Sequence, residues 1–118
     1  MTKEEVKNIV KRYNYVSRAI DSGSGQAVFY VGKRRQVINI TDEVMYVRCI
    51  IEIVYRREDD NILKLMIKNI LSGEKDVFTM QKIYCSKSAF YSKKREFFEK
   101  VYECCISIGL INFMEILA

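Results

Sequence analysis

Histidine is absent from these 118 residues, and so is proline. Without an imidazole the chain has no side chain that is a base near neutral pH, no Ser–His or Cys–His nucleophile pair and no mixed Cys/His zinc site. Its four cysteines, Cys49, Cys85, Cys104 and Cys105, contain no C-x-x-C spacing, and the last two are adjacent. That spacing suits neither a zinc knuckle nor a redox dithiol. They read as small buried hydrophobes in a reducing cytosol. With no acid/base, metal or cofactor constellation to build on, the expected activity is binding and not catalysis. No apolar run approaches the roughly 18 residues of a spanning helix, and the opening MTKEEVKNIV has no signal-peptide core. A soluble, cytoplasmic protein without membrane association is expected.

What is present supports a folded globule. Nearly half the residues (49%) are hydrophobic, which suffices for a real core in one domain of this length. A net charge of +5 is compatible with a polyanionic partner. With no proline to mark boundaries, caps and glycines must do so. Thr2 and Glu5 form a capping-box pattern, and Val6, Ile9, Val10, Tyr13 and Ile20 recur on one helical face, predicting a helix over 3–21. DSGSG (21–25) ends it. The runs AVFYV and QVINI flank GKRR and predict a β-hairpin, with a mobile linker as the alternative. Thr41 or Asp42 caps a helix carrying Val44, Val47, Ile50, Ile51 and Val54, and Asp59 or Asp60 can cap a further one. Residues 42–72 are therefore two helices or one bent helix. The segment NILKLMIKNILSG is apolar over most of its circumference and is expected at the centre of the fold, ending at Gly73. The class is mainly α, one domain over 1–118: an N-terminal helix plus hairpin or linker (1–41), then a helical core (42–118).

The stretch YCSKSAFYSKKREFFEKVYECC, residues 84–105, carries the functional signal. Asp76 is expected to cap a short helix, with Val77, Met80, Ile83 and Tyr84 facing the core. Ser86 is expected to cap the next, which runs to about Ile108 with Phe90 facing inward and a stripe of Phe97, Val101, Cys104, Cys105 and Ile108 that is core or partner interface and not a cofactor pocket. Short helix, tight turn and capped helix form a helix-turn-helix, whose second helix enters the DNA major groove. Lys87, Lys93, Lys94 and Arg95 would neutralise phosphates, while Ser86, Ser88, Tyr91 and Ser92 can hydrogen-bond to bases or phosphates. Lys33, Arg34 and Arg35 at the hairpin tip are a second candidate contact. The plain alternative is a solvated helix face, with Glu96 and Glu99 pairing to Lys93, Arg95 or Lys100. Reversing the charge of Lys93 and Lys94 is expected to abolish DNA binding and leave thermal stability nearly intact.

The segment YCSKSAFYSKKREFFEKV resembles the close of the sigma-region-4-like helix-turn-helix in small phage transcription regulators of the ArpU and RinA type. The likeness covers residues 83–101 and extends in layout back to about 42. Met80 stands where that pattern has alanine and Tyr84 where it has the turn glycine, bulk that repacking must absorb. The resemblance implies that Ser86, Lys87, Ser88, Tyr91 and the basic residues after them lie against double-stranded DNA. It further implies a late-gene regulator acting in the bacterial host cytoplasm, with RNA polymerase as a candidate partner. The N-terminal helix and the apolar tail LINFMEILA could form a homodimer contact. The alternatives are a protein-interaction module, such as an anti-repressor or polymerase-binding factor, and a small terminase-like DNA-packaging subunit.

Overall fold

The computed structural model describes residues 1–83 and 85–111. Within them the chain is mainly helical, with a two-stranded antiparallel hairpin near the N-terminus. Thr2 and Glu5 form the expected capping box: Thr2 Oγ1 accepts from the Glu5 N–H at 3.1 Å, and Glu5 Oε1 accepts from the Thr2 N–H at 3.4 Å. The helix they start does not run to residue 21. It breaks at Arg12 (φ −112°, ψ 23°) into α1 (Lys3–Lys11) and α2 (Tyr13–Asp21). The two halves bury different faces. Val6, Ile9 and Val10 of α1 and Val16 and Ala19 of α2 join one core, and α2 also meets the hairpin. Tyr13 and Ile20 are only half-buried, because the bend rotates the stripe that a continuous helix would have presented.

The hairpin is ordered structure and not a linker. Strand β1 (Gln26–Val31) pairs with β2 (Arg34–Asn39) from Gln26↔Asn39 to Val31↔Arg34. The register leaves Gly32-Lys33 as a two-residue turn, and Gly32 supplies the positive φ (+61°) that such turns require at their first central position. Ala27 and Phe29 alternate inward. Phe29 lies 5.5 Å from the Tyr15 ring, with the Arg12 guanidinium 4.8 Å over its face.

Thr41, not Asp42, caps α3 (Asp42–Arg57), accepting from the Val44 N–H, and all five expected core residues on α3 are buried. Asp60, not Asp59, caps α4 (Asn61–Leu71) by accepting from the Ile62 and Leu63 N–H groups. Residues 42–72 are thus two helices. Leu63, Met66, Ile67 and Ile70 of α4 are buried, but Ile62 (50% exposed) and Leu65 face solvent, so α4 is not enclosed all round. Gly73 ends this part with φ +82°. That backbone conformation favours glycine, and a Cβ there would sit 2.8 Å from Asn14 Nδ2, so the Asn14 side chain would have to move aside.

Helix α5 (Asp76–Ile83) begins at Asp76 itself and is rotated from expectation. Val77 is 50% exposed, Met80 and Ile83 are half-buried against the core, and Thr79 is the buried residue. The Thr79 hydroxyl donates to Glu74 at 2.8 Å, and Glu74 also receives Lys82. That satisfied polar contact turns Thr79 inward and Val77 out. The expected core residue Tyr84 lies outside the described residues. Ser86 caps α6 (Lys87–Ser107), its Oγ accepting from the Ala89 N–H at 3.1 Å. Phe90, Phe97, Phe98, Val101, Tyr102 and Cys105 of α6 are buried in one cluster with α1, α3 and α4. Cys104 is half-buried and Ile108 is exposed beyond the helix end. Cys49 is exposed too, so only Cys105 fits the buried-thiol expectation fully; burial raises its pKa to about 11. The Met1 ammonium donates to Leu110 O at 2.7 Å and Ile111 is buried, while tail residues 112–118 lie outside the described residues.

Replacing fully buried Phe97 with alanine should cost about 3–5 kcal/mol, from lost transfer energy plus a cavity. Ile62→Ala, on the open face of α4, should cost well under half of that. Urea unfolding of the two variants checks the ranking.

Candidate nucleic-acid interface

The burial of Phe90 and Phe97 decides which α6 side chains reach solvent. Ser86, Lys87, Ser88, Tyr91 (40% exposed), Ser92 and Arg95 are all exposed. The first turn of α6 contains no acidic residue, leaving the positive end of its dipole without a carboxylate partner on the helix. Helix α5 precedes it, separated by residues 84–86. Sequence order, cap and inward Phe90 therefore stand as expected. Ser86 Oγ is engaged in the cap, which occupies one of its acceptor positions and leaves its O–H free to donate.

Lys93 and Lys94 stand differently. Lys93 Nζ donates to Asp60 Oδ2 at 3.1 Å, and Lys94 Nζ donates to both Asp76 oxygens at 3.0 and 3.3 Å. Both lysines are half-buried. Nearly two turns further on, Lys100 reaches Glu58 at 2.6 Å. Three lysines of α6 thus hold the first residues of α4 and α5 and the loop before α4. The Leu63 N–H and then Lys93 keep the Asp60 carboxyl below its ordinary range. Burial pushes Glu58 up, but the Lys100 and Asp60 N–H hydrogen bonds outweigh it and leave Glu58 below its ordinary value. The neighbouring Glu58 in turn raises Lys100. Lys93 and Lys94 consequently link helices, and the expectation that reversing them spares stability gives way.

A groove of ≈ 550 Å³ runs between α1 and α6. One wall carries Lys3, Glu4, Lys7 and Lys11; the other carries Tyr91, Lys94, Arg95, Phe98, Glu99 and Tyr102. Lys3 lies 4.8 Å over the Tyr102 ring and 3.8 Å from Glu99. Burial, with Glu4 and Glu99 nearby, pushes Tyr102 up to about 12. The α1 lysines were missed by reading the sequence, because they lie some 80 residues from the segment they join. Their signal was the i, i+4, i+8 spacing of Lys3, Lys7 and Lys11.

Lys33, Arg34 and Arg35 are exposed at the hairpin tip, but they line none of this groove and make no ion pair with α6. Among the described residues, no three His, Cys, Asp or Glu side chains gather as a metal site would require, and no helix is long and apolar enough to cross a membrane. No family model matches the chain, and no curated protein or solved structure is significantly similar to it.

Lys94→Glu should place a carboxylate against Asp76 and lower the melting temperature by a few degrees, roughly 1 kcal/mol for a partly exposed pair. The swap Lys94→Glu with Asp76→Lys should recover most of that loss in the same melting experiment. A depressed Glu58 contributes stability above its ordinary value of 4.5. As pH falls below it, the unfolded chain protonates first, and the contribution disappears once the folded carboxyl follows. Glu58→Gln should therefore narrow the difference between urea midpoints at about pH 6 and about pH 3.

Proposed function

We propose that this protein is a sequence-specific regulator of transcription that binds double-stranded DNA through the N-terminal half of α6. The observation that carries the reading is the exposure of Lys87, Ser88, Tyr91, Ser92 and Arg95 on a capped helix whose residues 87–95 include no acid. A major groove admits one helix, and a helix start free of carboxylates tolerates the phosphates on either side. In this mode Lys87 and Arg95 contact phosphates, while Ser88, Tyr91 and Ser92 meet base edges. Ser86 fixes the start of the helix. Lys93 and Lys94 act indirectly, by setting how α6 stands against α4 and α5. The resemblance of residues 83–101 to phage late-gene regulators of the ArpU and RinA type supports the same reading, with the bacterial host cytoplasm as its location. Polymerase contact and a homodimer belong to the proposal as well, since half-site readers of this size commonly pair.

A second reading has one observation in its favour. Val77 and Phe78 of α5, at 50% and 51% exposed, place apolar surface beside the proposed reading helix. A protein-interaction module would use that surface and leave α6 merely solvated.

Selection of bound sites from a random duplex library, followed by affinity measurement over a range of salt, separates the two. DNA binding predicts an enriched site and a negative salt slope, made shallower by about 1 in Lys87→Ala and again in Arg95→Ala. Ser88→Ala should instead relax preference at a base position with little change in slope. No salt-dependent binding to any duplex would sink the DNA reading.

A further inference from the structure

We infer that the groove between α1 and α6 is a phosphate track, in which Lys7 and Lys11 of α1 hold the DNA backbone beside the reading helix. The inference rests on the proposed DNA-binding function and adds a second element to it.

Helix α1 runs antiparallel to α6. The Met1 ammonium meets Leu110 and Lys3 meets Glu99 and Tyr102, whereas Lys11 shares a groove wall with Lys94 and Phe98. The Lys11 end therefore opens toward Tyr91 and the exposed first turns of α6, and the two basic surfaces are continuous. The groove gathers five basic side chains against two carboxylates. Lys3 is already paired with Glu99 and Lys94 with Asp76. Among the described residues, Lys7, Lys11 and Arg95 make no ion pair. Like charges converging on one concavity repel each other and focus a positive potential, which an anionic ligand relieves.

The shape of the site selects the anion. From Lys3 to Lys11 the helix rises about 12 Å, which spans about three to four nucleotides of one strand at the rise of a duplex. A single small phosphate would leave most of it empty. Single-stranded nucleic acid needs successive aromatic faces to stack on. Here Phe98 and Tyr102 are buried and Tyr91 alone offers an exposed ring among the aromatic residues of the groove. Backbone contact with a duplex is the chemistry that remains.

The test uses the full chain and its enriched duplex site. Lys7→Gln with Lys11→Gln should make the slope of log affinity against log salt shallower by about 1.8, two phosphate contacts at about 0.9 each, with an unchanged melting temperature. A control of equal charge loss outside the groove, Arg57→Gln with Lys68→Gln, should leave the slope as in the parent protein. An unaltered slope in the Lys7/Lys11 variant, an equal change in the control, or tighter binding of the single strand than of the duplex would overturn the track while leaving α6 as the reader. Absence of duplex binding by the parent protein would instead overturn the DNA reading itself, so the two failures are distinguishable.

Discussion

Burial of Phe90, Phe97 and Val101 on one side of a 21-residue helix is the constraint on which the rest of this structure depends. Helix α6 packs on α1, α3 and α4, which also pack on one another. Its apolar flank closes the core while its first turns carry the candidate interface. The helical period leaves no freedom between these duties: once Phe90 and Phe97 point inward, Ser88, Ser92 and Arg95 must point out. Any change that rolls α6 would disturb core and interface together.

That roll is opposed by side chains as well as by packing. Lys93, Lys94 and Lys100 reach Asp60, Asp76 and Glu58, carboxylates at the starts of α4 and α5 and in the loop before α4. Each pair is weak, since surface and half-buried ion pairs gain little net energy. Their value is geometric. They fix the azimuth of α6 against two helix starts at once, and Asp60 adds the role of cap to that of partner. Charge that a sequence presents as one basic run is thereby divided: part is used to orient the helix, and part is left facing solvent.

Local features were legible in the sequence and tertiary pairings were not. The Thr2–Glu5 box, the Ser86 cap and the five core positions of α3 follow from spacing alone, because caps and amphipathic faces act within one or two turns. The hairpin could be anticipated from its β-branched runs, although Gly32-Lys33 is a weak turn pair. The break at Arg12 carried no proline or glycine to announce it; beyond it α2 sets Tyr15 against Phe29 of the hairpin while Val16 and Ala19 stay in the core. The rotation of α5 escaped for a similar reason. A threonine paired with Glu74 took the inward position that periodicity assigned to Val77. The exposed residues of the α6 face were all named from sequence, but the α1 lysines were not, and the pairing of Lys93 and Lys94 depends on Asp60 and Asp76, which only folding brings near.

The division of charge bears directly on how the proposed binding would work. A lysine already held by a carboxylate contributes less to polyanion binding than its formal charge suggests. To bind phosphate it must open its pair, leaving an acid facing another anion. Of the four cations in the basic run, Lys87 and Arg95 escape this difficulty, and two contacts are few for a binder whose affinity rests on phosphate neutralisation. Lys7 and Lys11 would restore the number to four without burdening α6, whose remaining flank is committed to the core. Placing them on α1 also ties the interface to the N-terminal capping box, since fraying of the first turn would release the lysine stripe along with the helix. On this argument the N-terminal helix serves the same surface as the reading helix, although the two are separated in the chain by the whole hairpin and four further helices.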